Sequence, residues 1–167
     1  MKSYIVLAYQ FMKILLSCAD DMTDDGIIDA IGSASWRTHI HANYTCGSAR
    51  HVIMTKNFVI KWDIDEGGCY CIGGCEDELR MYEHAKRCGY DYLFAKIMPI
   101  YLKGRYFYVM PTVDNIGPKN HEFNDIEYYL KDDEYDWIKE NVRDLHGYNW
   151  GLDDNYIPII IDYAFRK

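Results

Sequence analysis

Three polar side chains near the end of the chain have the spacing of an oxygen-rich site. Asp144 and Asn149 lie in the segment RDLHGYN, residues 143–149, and Asp162 directly follows the apolar run III at 159–161. Mg²⁺ prefers hard oxygen ligands such as carboxylates and amide carbonyls. A loop that turns between Asp144 and Asn149 can aim both side chains at one point. A strand that ends at Asp162 would bring a second carboxylate to the same place.

A lysine stands inside an apolar segment in the first half of the chain. Lys61 ends the run FVIK, residues 58–61, whose β-branched and aromatic residues predict a strand. An ammonium group flanked by apolar residues is costly to bury without a partner. We therefore expect Lys61 to have a partner of opposite charge.

The order of these segments resembles that of protein kinases. A turn, a strand lysine, a helix with glutamates, a β-hairpin, a proline after the second strand, Asp-x4-Asn and a strand-terminal Asp follow one another across residues 44–164. The pattern Asp-Leu-His-Gly-x-Asn-x-Gly is also similar to small kinase-like proteins of bacteriophages and mobile elements. The resemblance implies ATP and Mg²⁺ as cofactors. Asp144 would orient the substrate hydroxyl or accept its proton, and Asn149 and Asp162 would hold the metal.

The same resemblance assigns a role to Lys61. It would contact the α- and β-phosphates of ATP and pair with a glutamate on the following helix. Glu78, early in that helix, is the preferred partner, with Glu76 and Glu83 as alternatives.

Further nucleotide contacts follow from the resemblance. The segment at 44–52 stands where kinases have a glycine-rich loop, and Gly47 and Ser48 would contact phosphate through their backbone. It holds one glycine where the family has three. Met110 or Val109 would occupy the gatekeeper position, and backbone groups near Thr112 would face adenine.

The sequence also departs from the kinase pattern. The usual His-Arg-Asp reads Val-Arg-Asp at 142–144, and Asp-Phe-Gly reads Asp-Tyr-Ala at 162–164. Nothing in the sequence matches an activation segment, Ala-Pro-Glu or the large helical lobe that binds peptide substrates. These departures predict a much reduced second lobe.

Composition limits the class of partner. The chain has 26 acidic and 18 basic residues, a net charge of −8, and 49% hydrophobic residues. An acidic chain does not favour the nucleic-acid backbone as its partner, and a basic protein surface remains compatible. No segment is apolar and long enough to predict a membrane span. We expect a cytoplasmic protein, in the host cytoplasm if the source is viral.

The cysteines and the first residues each leave an alternative open. Cys69, Cys71 and Cys75, with Cys88 downstream, depart from the spacing of a zinc ribbon, so a metal site there is the less favoured interpretation. The first 18 residues end in LLSC, which resembles a lipoprotein cleavage box. Gln10 interrupts the apolar run, however, and the helical spacing favours an amphipathic helix with one buried face, formed by Ile5, Ala8, Met12, Leu15 and Leu16.

The elements predict an α+β fold with the sheet in the first half. Helices are expected at 4–19, 24–31, 75–88, 125–131 and 134–142. Strands are expected between 36 and 62, at 95–102, 105–110 and 157–161, with a break at residues 32–33 and a loop at 144–156. In kinase terms this is one domain, 1–167, in three parts. Residues 1–35 form a helical extension, 36–113 an N-lobe with a five-stranded antiparallel sheet and one helix, and 114–167 a truncated helical C-lobe.

Two functions are compatible with these features. The first is an ATP- and Mg²⁺-dependent phosphotransferase that acts on a protein Ser/Thr or a small molecule. The second is a weak or inactive pseudokinase that binds and inhibits a host defence protein, favoured by the single glycine at 44–52, the reduced second lobe and the acidic charge.

Overall fold

The computed structural model describes residues 3–47, 49–64, 74–115, 126–143, 149–153, 155 and 157–165. The chain divides into two compact units. The first contains Met1–Cys71 and Met98–Thr112, and the second contains Ile72–Ile97 and Val113–Lys167. This division groups residues 72–97 with the second unit, whereas the kinase-like interpretation assigned them to the N-lobe.

Three helices open the first unit: α1 (Tyr4–Cys18), α2 (Asp24–Asp29) and α3 (Ile31–Thr38). The predicted stripe on α1 is largely confirmed, since Ala8, Met12, Leu15 and Leu16 are buried, while Ile5 is half-buried. Thr23 caps α2, as its hydroxyl accepts the N–H of Gly26 at 3.1 Å.

Helix α3 corrects the predicted break at residues 32–33 and the predicted strand from Trp36. Ile31 and Ala34 are buried one helical turn apart, and this burial outweighs the local turn signal of a Gly-Ser pair. The helix ends where His39 adopts a left-handed conformation with φ 56°.

A five-stranded antiparallel sheet completes the first unit. Its strands are β1 (Ala42–Cys46), β2 (Arg50–Thr55), β3 (Phe58–Asp63), β4 (Met98–Leu102) and β5 (Arg105–Pro111), in the spatial order β1-β2-β3-β5-β4. The α+β class and the five-stranded antiparallel sheet are therefore confirmed. The predicted turn between β4 and β5 is also present, with φ 48° at Lys103 and φ 85° at Gly104.

The two faces of this sheet carry different side chains. One face, which we call the helix-side face, packs with the helices in a single core and contributes Ile53, Phe58, Ile60, Trp62, Phe107 and Val109. Successive residues of a strand point to opposite faces. The other face, which we call the lysine face, therefore carries Val52, Val59, Lys61, Tyr108 and Met110.

The second unit begins with α4 (Cys75–Cys88), followed by a short 3₁₀ helix at Asp91–Leu93. Gly89 ends α4 in a left-handed conformation with φ 84°, as its position predicted. The predicted strand at 95–102 is corrected at its start. Ala95 donates its N–H to the carbonyl of Ile160 at 2.8 Å, so this stretch joins the second unit and β4 begins only at Met98.

The rest of the second unit contains one helix and small sheets. In order come β6 (Asp114–Asn115), a 3₁₀ helix at Ile126–Tyr129, α5 (Asp132–Asn141), β7 (Val142–Arg143), β8 (Trp150–Leu152), β9 (Pro158–Ile160) and β10 (Ala164–Phe165). β8 lies inside the predicted loop at 144–156, which corrects that prediction. It pairs with β6 and β9, and β10 pairs with β7.

A buried carboxylate holds the start of α5. Glu134 accepts the Tyr92 hydroxyl at 2.5 Å, the Lys131 backbone N–H at 2.8 Å and the Lys131 ammonium at 3.1 Å. Burial alone would raise the pKa of Glu134, but these hydrogen bonds outweigh burial and lower it. Desolvation of the Tyr92 hydroxyl and its hydrogen bond to Glu134 raise the pKa of Tyr92.

No helix in the stretches of chain that the structure describes is long and apolar enough to cross a membrane.

Candidate functional site

The two predicted metal ligands of the second unit are adjacent in space. The carbonyl oxygen of Asn149 accepts the N–H of Ile161 at 2.8 Å and the N–H of Asp162 at 3.3 Å. The β8–β9 hairpin produces this contact. Trp150 is paired with Ile160, so the chain that leaves Asn149 comes back beside it at Ile161 and Asp162. The Asn149 side chain is buried and that of Asp162 is half-buried.

Strand β10 connects the chain after Asp162 to β7. Ala164, two residues after Asp162, is paired with Arg143 in β7. The predicted catalytic residue Asp144 follows Arg143 directly in the sequence, but it lies outside the described residues. The two flanks of the segment 144–148, Arg143 and Asn149, thus both contact the chain around Asp162.

Tyr163 anchors the backbone between Asp162 and β10. Its hydroxyl donates to the carbonyl of Ala95 at 2.9 Å, and its ring meets Phe94 edge to face at 5.0 Å between centroids. The side chain is 1% exposed. A buried aromatic residue directly after Asp162 fixes the backbone at this point in the second unit.

Glu78 differs from its two rivals on α4. It is fully buried in the first turn of the helix. Glu76 is exposed and forms an ion pair with Arg80 at 2.7 Å, and Glu83 is also exposed. Helix α4 packs against β10, so the glutamate that the kinase pattern selects lies on an element that contacts the strand after Asp162.

Lys61 occupies the centre of the lysine face in the first unit. It is paired with Val52 of β2 on one side and with Tyr108 of β5 on the other. Its side chain is 6% exposed and that of Tyr108 is 7% exposed. A buried ammonium between an aliphatic and an aromatic neighbour is costly unless it has a partner of opposite charge.

The candidate gatekeepers point in opposite directions. Met110 is paired with Val59 on the lysine face, whereas Val109 belongs to the core on the helix-side face. Of the two, Met110 therefore shares a surface with Lys61. Thr112 uses its hydroxyl to donate to the carbonyl of Thr55 at 2.9 Å, which fixes the chain just after β5.

The turn between β1 and β2 is closed by its own backbone. The N–H of Gly47 donates to the carbonyl of Arg50 at 2.9 Å. A Cβ added at Gly47 would meet nothing closer than that carbonyl, at 3.8 Å. The amide that was predicted to contact phosphate is thus engaged inside the turn. Ser48, the other predicted contact, lies outside the described residues.

The sequence reasoning did not identify a buried charge network in the first unit. Asp24 accepts hydrogen bonds from Trp62 Nε1 at 2.9 Å and from Arg105 at 2.5 Å, and its other oxygen lies 3.1 Å from His51 Nε2. His51 Nδ1 is 2.8 Å from the Tyr44 hydroxyl. The members of this network are far apart in the sequence. The only sign of the network in the sequence is the alternation of β2 and β3, which places His51 and Trp62 on one face.

The Tyr44 phenol is a protonated member of this network. Burial, then its contact with Cys46 and the acidic residues nearby, raises the pKa of Tyr44 to about 12. The phenol therefore stays protonated at neutral pH. The network's role in the first unit is to attach α2 to the sheet.

The chemistry of each unit is distinct. The first presents a cation beside apolar and aromatic side chains, and the second brings the backbones of Asn149 and Asp162 into contact. Within the described residues, no group of three or more His, Cys, Asp or Glu side chains could hold a metal ion by itself. No protein-family model matches the chain, and no curated protein matches it significantly.

Proposed function

We propose that the chain is a kinase-like protein that binds ATP with Mg²⁺ and transfers the γ-phosphate to a protein Ser/Thr or a small molecule. The observation that carries this proposal is the contact between Asn149 and Asp162. Two residues from separate parts of the sequence, each with an oxygen-bearing side chain, meet through their backbones, and their side chains could supply only part of an octahedral shell. Mg²⁺ commonly completes such a shell with substrate phosphates and water.

The remaining roles follow the kinase pattern. Lys61 neutralises the α- and β-phosphates, and Glu78 holds the Lys61 ammonium in position. Asp144 orients the attacking hydroxyl or accepts its proton. Catalysis of this kind consists mainly of positioning and charge stabilisation, and all the polar groups it needs are present in the sequence.

The base of the nucleotide would bind on the lysine face. Val52, Val59 and Met110 offer aliphatic surface next to Lys61, and a flat aromatic ring is well accommodated between such side chains. Backbone groups around Thr112 and the turn at Gly47 and Ser48 would complete the site.

A second candidate function is a catalytically weak or inactive pseudokinase that binds and inhibits a host protein. One observation favours it: the Gly47 amide already donates within its turn, so it contributes less to a phosphate cradle. The net charge of −8 suits a basic protein partner rather than nucleic acid or a membrane. Both candidates would act in the cytoplasm, the host cytoplasm if the protein is viral.

The transfer of labelled γ-phosphate separates the two candidates. The wild type is compared with Asp144→Ala and Asp162→Ala, and thermal unfolding with Mg²⁺ and ATP is measured in parallel. Label that both substitutions abolish supports the transferase. A nucleotide-dependent thermal shift without label supports the pseudokinase. No thermal shift at saturating nucleotide contradicts both, because a ligand at 100 times its Kd stabilises the folded state by about 2.7 kcal/mol.

A further inference from the structure

Two side chains with metal-ligand atoms lie close to His84, near the end of α4 in the second unit. His84 Nε2 lies 3.2 Å from Asn141 Oδ1 and 4.0 Å from Cys88 Sγ. His84 and Cys88 are separated by one helical turn, so both project from the same side of α4. Asn141 is the last residue of α5 and brings the third atom from a separate element.

The orientation of these groups is fixed by their surroundings. The Asn141 amide nitrogen donates to the carbonyl of Trp137 at 2.8 Å, which leaves its oxygen directed at His84. The His84 imidazole stacks on the Trp137 ring, with centroids 5.7 Å apart and an interplanar angle of 23°. Two of the three groups are therefore held in place by contacts that do not involve the ligand atoms themselves.

The two separations measured from His84 are close to those of ligands that share one metal. Tetrahedral zinc with ordinary bond lengths places nitrogen and sulfur ligands about 3.6 Å apart, and nitrogen and oxygen ligands about 3.4 Å apart. The observed distances of 4.0 and 3.2 Å each differ from these by a few tenths of an ångström. We propose that His84, Cys88 and Asn141 bind a thiophilic divalent cation of the zinc type at the junction of α4 and α5.

The open side of the site suits such an ion. Cys88 is exposed, and His84 and Asn141 are half-buried, so water can occupy the remaining coordination position. Cys75, which the sequence analysis grouped with Cys69 and Cys71, cannot reach this site. Cys75 and Cys88 are the first and last residues of α4, and a helix of this length separates them by about 20 Å. They cannot bind the same ion.

Cobalt(II) titration tests the proposal, because a thiolate bound to Co²⁺ gives a charge-transfer band in the near ultraviolet. The reduced full-length chain carries Cys69→Ser and Cys71→Ser, which leaves the buried Cys75 as the single thiol of that cluster. We expect the band to saturate at one equivalent of Co²⁺ and to disappear when Zn²⁺ is added. Cys88→Ser should abolish it, and His84→Gln should weaken binding at least tenfold.

Two further variants distinguish a metal site from a hydrogen-bonded cluster. Cys46 is an exposed free cysteine of the first unit, so Cys46→Ser should leave the titration unchanged. Asn141→Asp should tighten binding about tenfold, since a carboxylate is a better zinc ligand than an amide. Circular dichroism checks that each variant is folded. A missing band, a band that survives Cys88→Ser, or equal affinity in Asn141→Asp would overturn the proposal.

Discussion

The carbonyl oxygen of Asn149 accepts the backbone N–H of Asp162 at 3.3 Å. The two residues meet because the β8–β9 hairpin turns the chain back on itself, with Trp150 opposite Ile160. These backbone hydrogen bonds bring the two residues together independently of any ligand. Residues that are already close have less ordering entropy to lose when they bind a shared ligand.

The Asp162 carboxylate should be essential for nucleotide binding but not for folding. Asp162→Asn keeps the shape and removes the charge, so we expect the Mg²⁺–ATP thermal shift to fall to the wild-type value without Mg²⁺. Asp136→Asn is the matched control, because Asp136 is an exposed aspartate of the same unit. An undiminished shift in Asp162→Asn, measured by scanning fluorimetry, would contradict the assigned metal role.

Lys61 and Glu78 should be energetically coupled. The kinase-like proposal pairs Lys61 with Glu78. On that proposal we expect Lys61→Met and Glu78→Gln each to destabilise the protein, and the double variant to cost less than the sum by about 1–3 kcal/mol, because removing one member of such a pair would leave the other uncompensated. Urea unfolding of the four proteins measures this coupling. Lys56→Met, at an exposed lysine in the β2–β3 turn, should be additive with Glu78→Gln within about 0.5 kcal/mol. Additivity in the first cycle would refute the pairing.

Asp24 should contribute more to the free energy of unfolding than Asp25, the next residue in the sequence. Its side chain is 14% exposed and that of its partner Arg105 is 11% exposed. Asp24→Ala leaves the Arg105 guanidinium and the Trp62 N–H without this acceptor and removes the carboxylate beside the His51 ring, so we expect a loss of roughly 3–5 kcal/mol. Asp25→Ala removes a charge from the same first turn of α2 at an exposed position. It should cost less than about 1 kcal/mol. Equal losses in urea unfolding would show that only the helix terminus matters.

Glu134 should give the stability a specific pH dependence. Its pKa in the folded protein is lowered below 4.5, so the unfolded chain takes up the proton first as the pH falls. The stabilisation by the ionised Glu134 carboxylate is complete at neutral pH and is lost as the pH drops below about 4.5. Glu134→Gln retains a capping side chain, so the gap in unfolding free energy between wild type and variant should narrow below that pH. A gap that stays constant from pH 7 to pH 3 would contradict this account.

Much of the fold could be predicted because local and tertiary signals agree. The stripe of α1, the glycine after α4 and the Lys103–Gly104 turn each favour the element that forms. The prediction was wrong where tertiary contacts override local signals. Helix α3 continues through Gly32 because Ile31 and Ala34 enter the core, and residues before Met98 leave the predicted strand because Ala95 bonds to Ile160.

The candidate site shows the same division. The spacing predicts that Asn149 and Asp162 share a metal ion, which stays a prediction, and the β8–β9 hairpin brings their backbones into contact. The choice between Met110 and Val109 could not be made from the sequence, because it depends on which sheet face α1 covers. Nor could the Asp24 network be predicted, because Asp24, His51 and Arg105 come from three separate segments that only the folded sheet brings together.

A crystal structure with a non-hydrolysable ATP analogue and Mn²⁺, located by its anomalous signal, tests the central claim most directly. We predict one Mn²⁺ about 2.1 Å from the Asn149 amide oxygen and an Asp162 carboxylate oxygen. The Lys61 ammonium should lie within about 3 Å of the α- or β-phosphate of the same nucleotide. A structure in which Lys61 and Asp162 do not contact one nucleotide, or in which Mn²⁺ binds elsewhere, would contradict the kinase-like account.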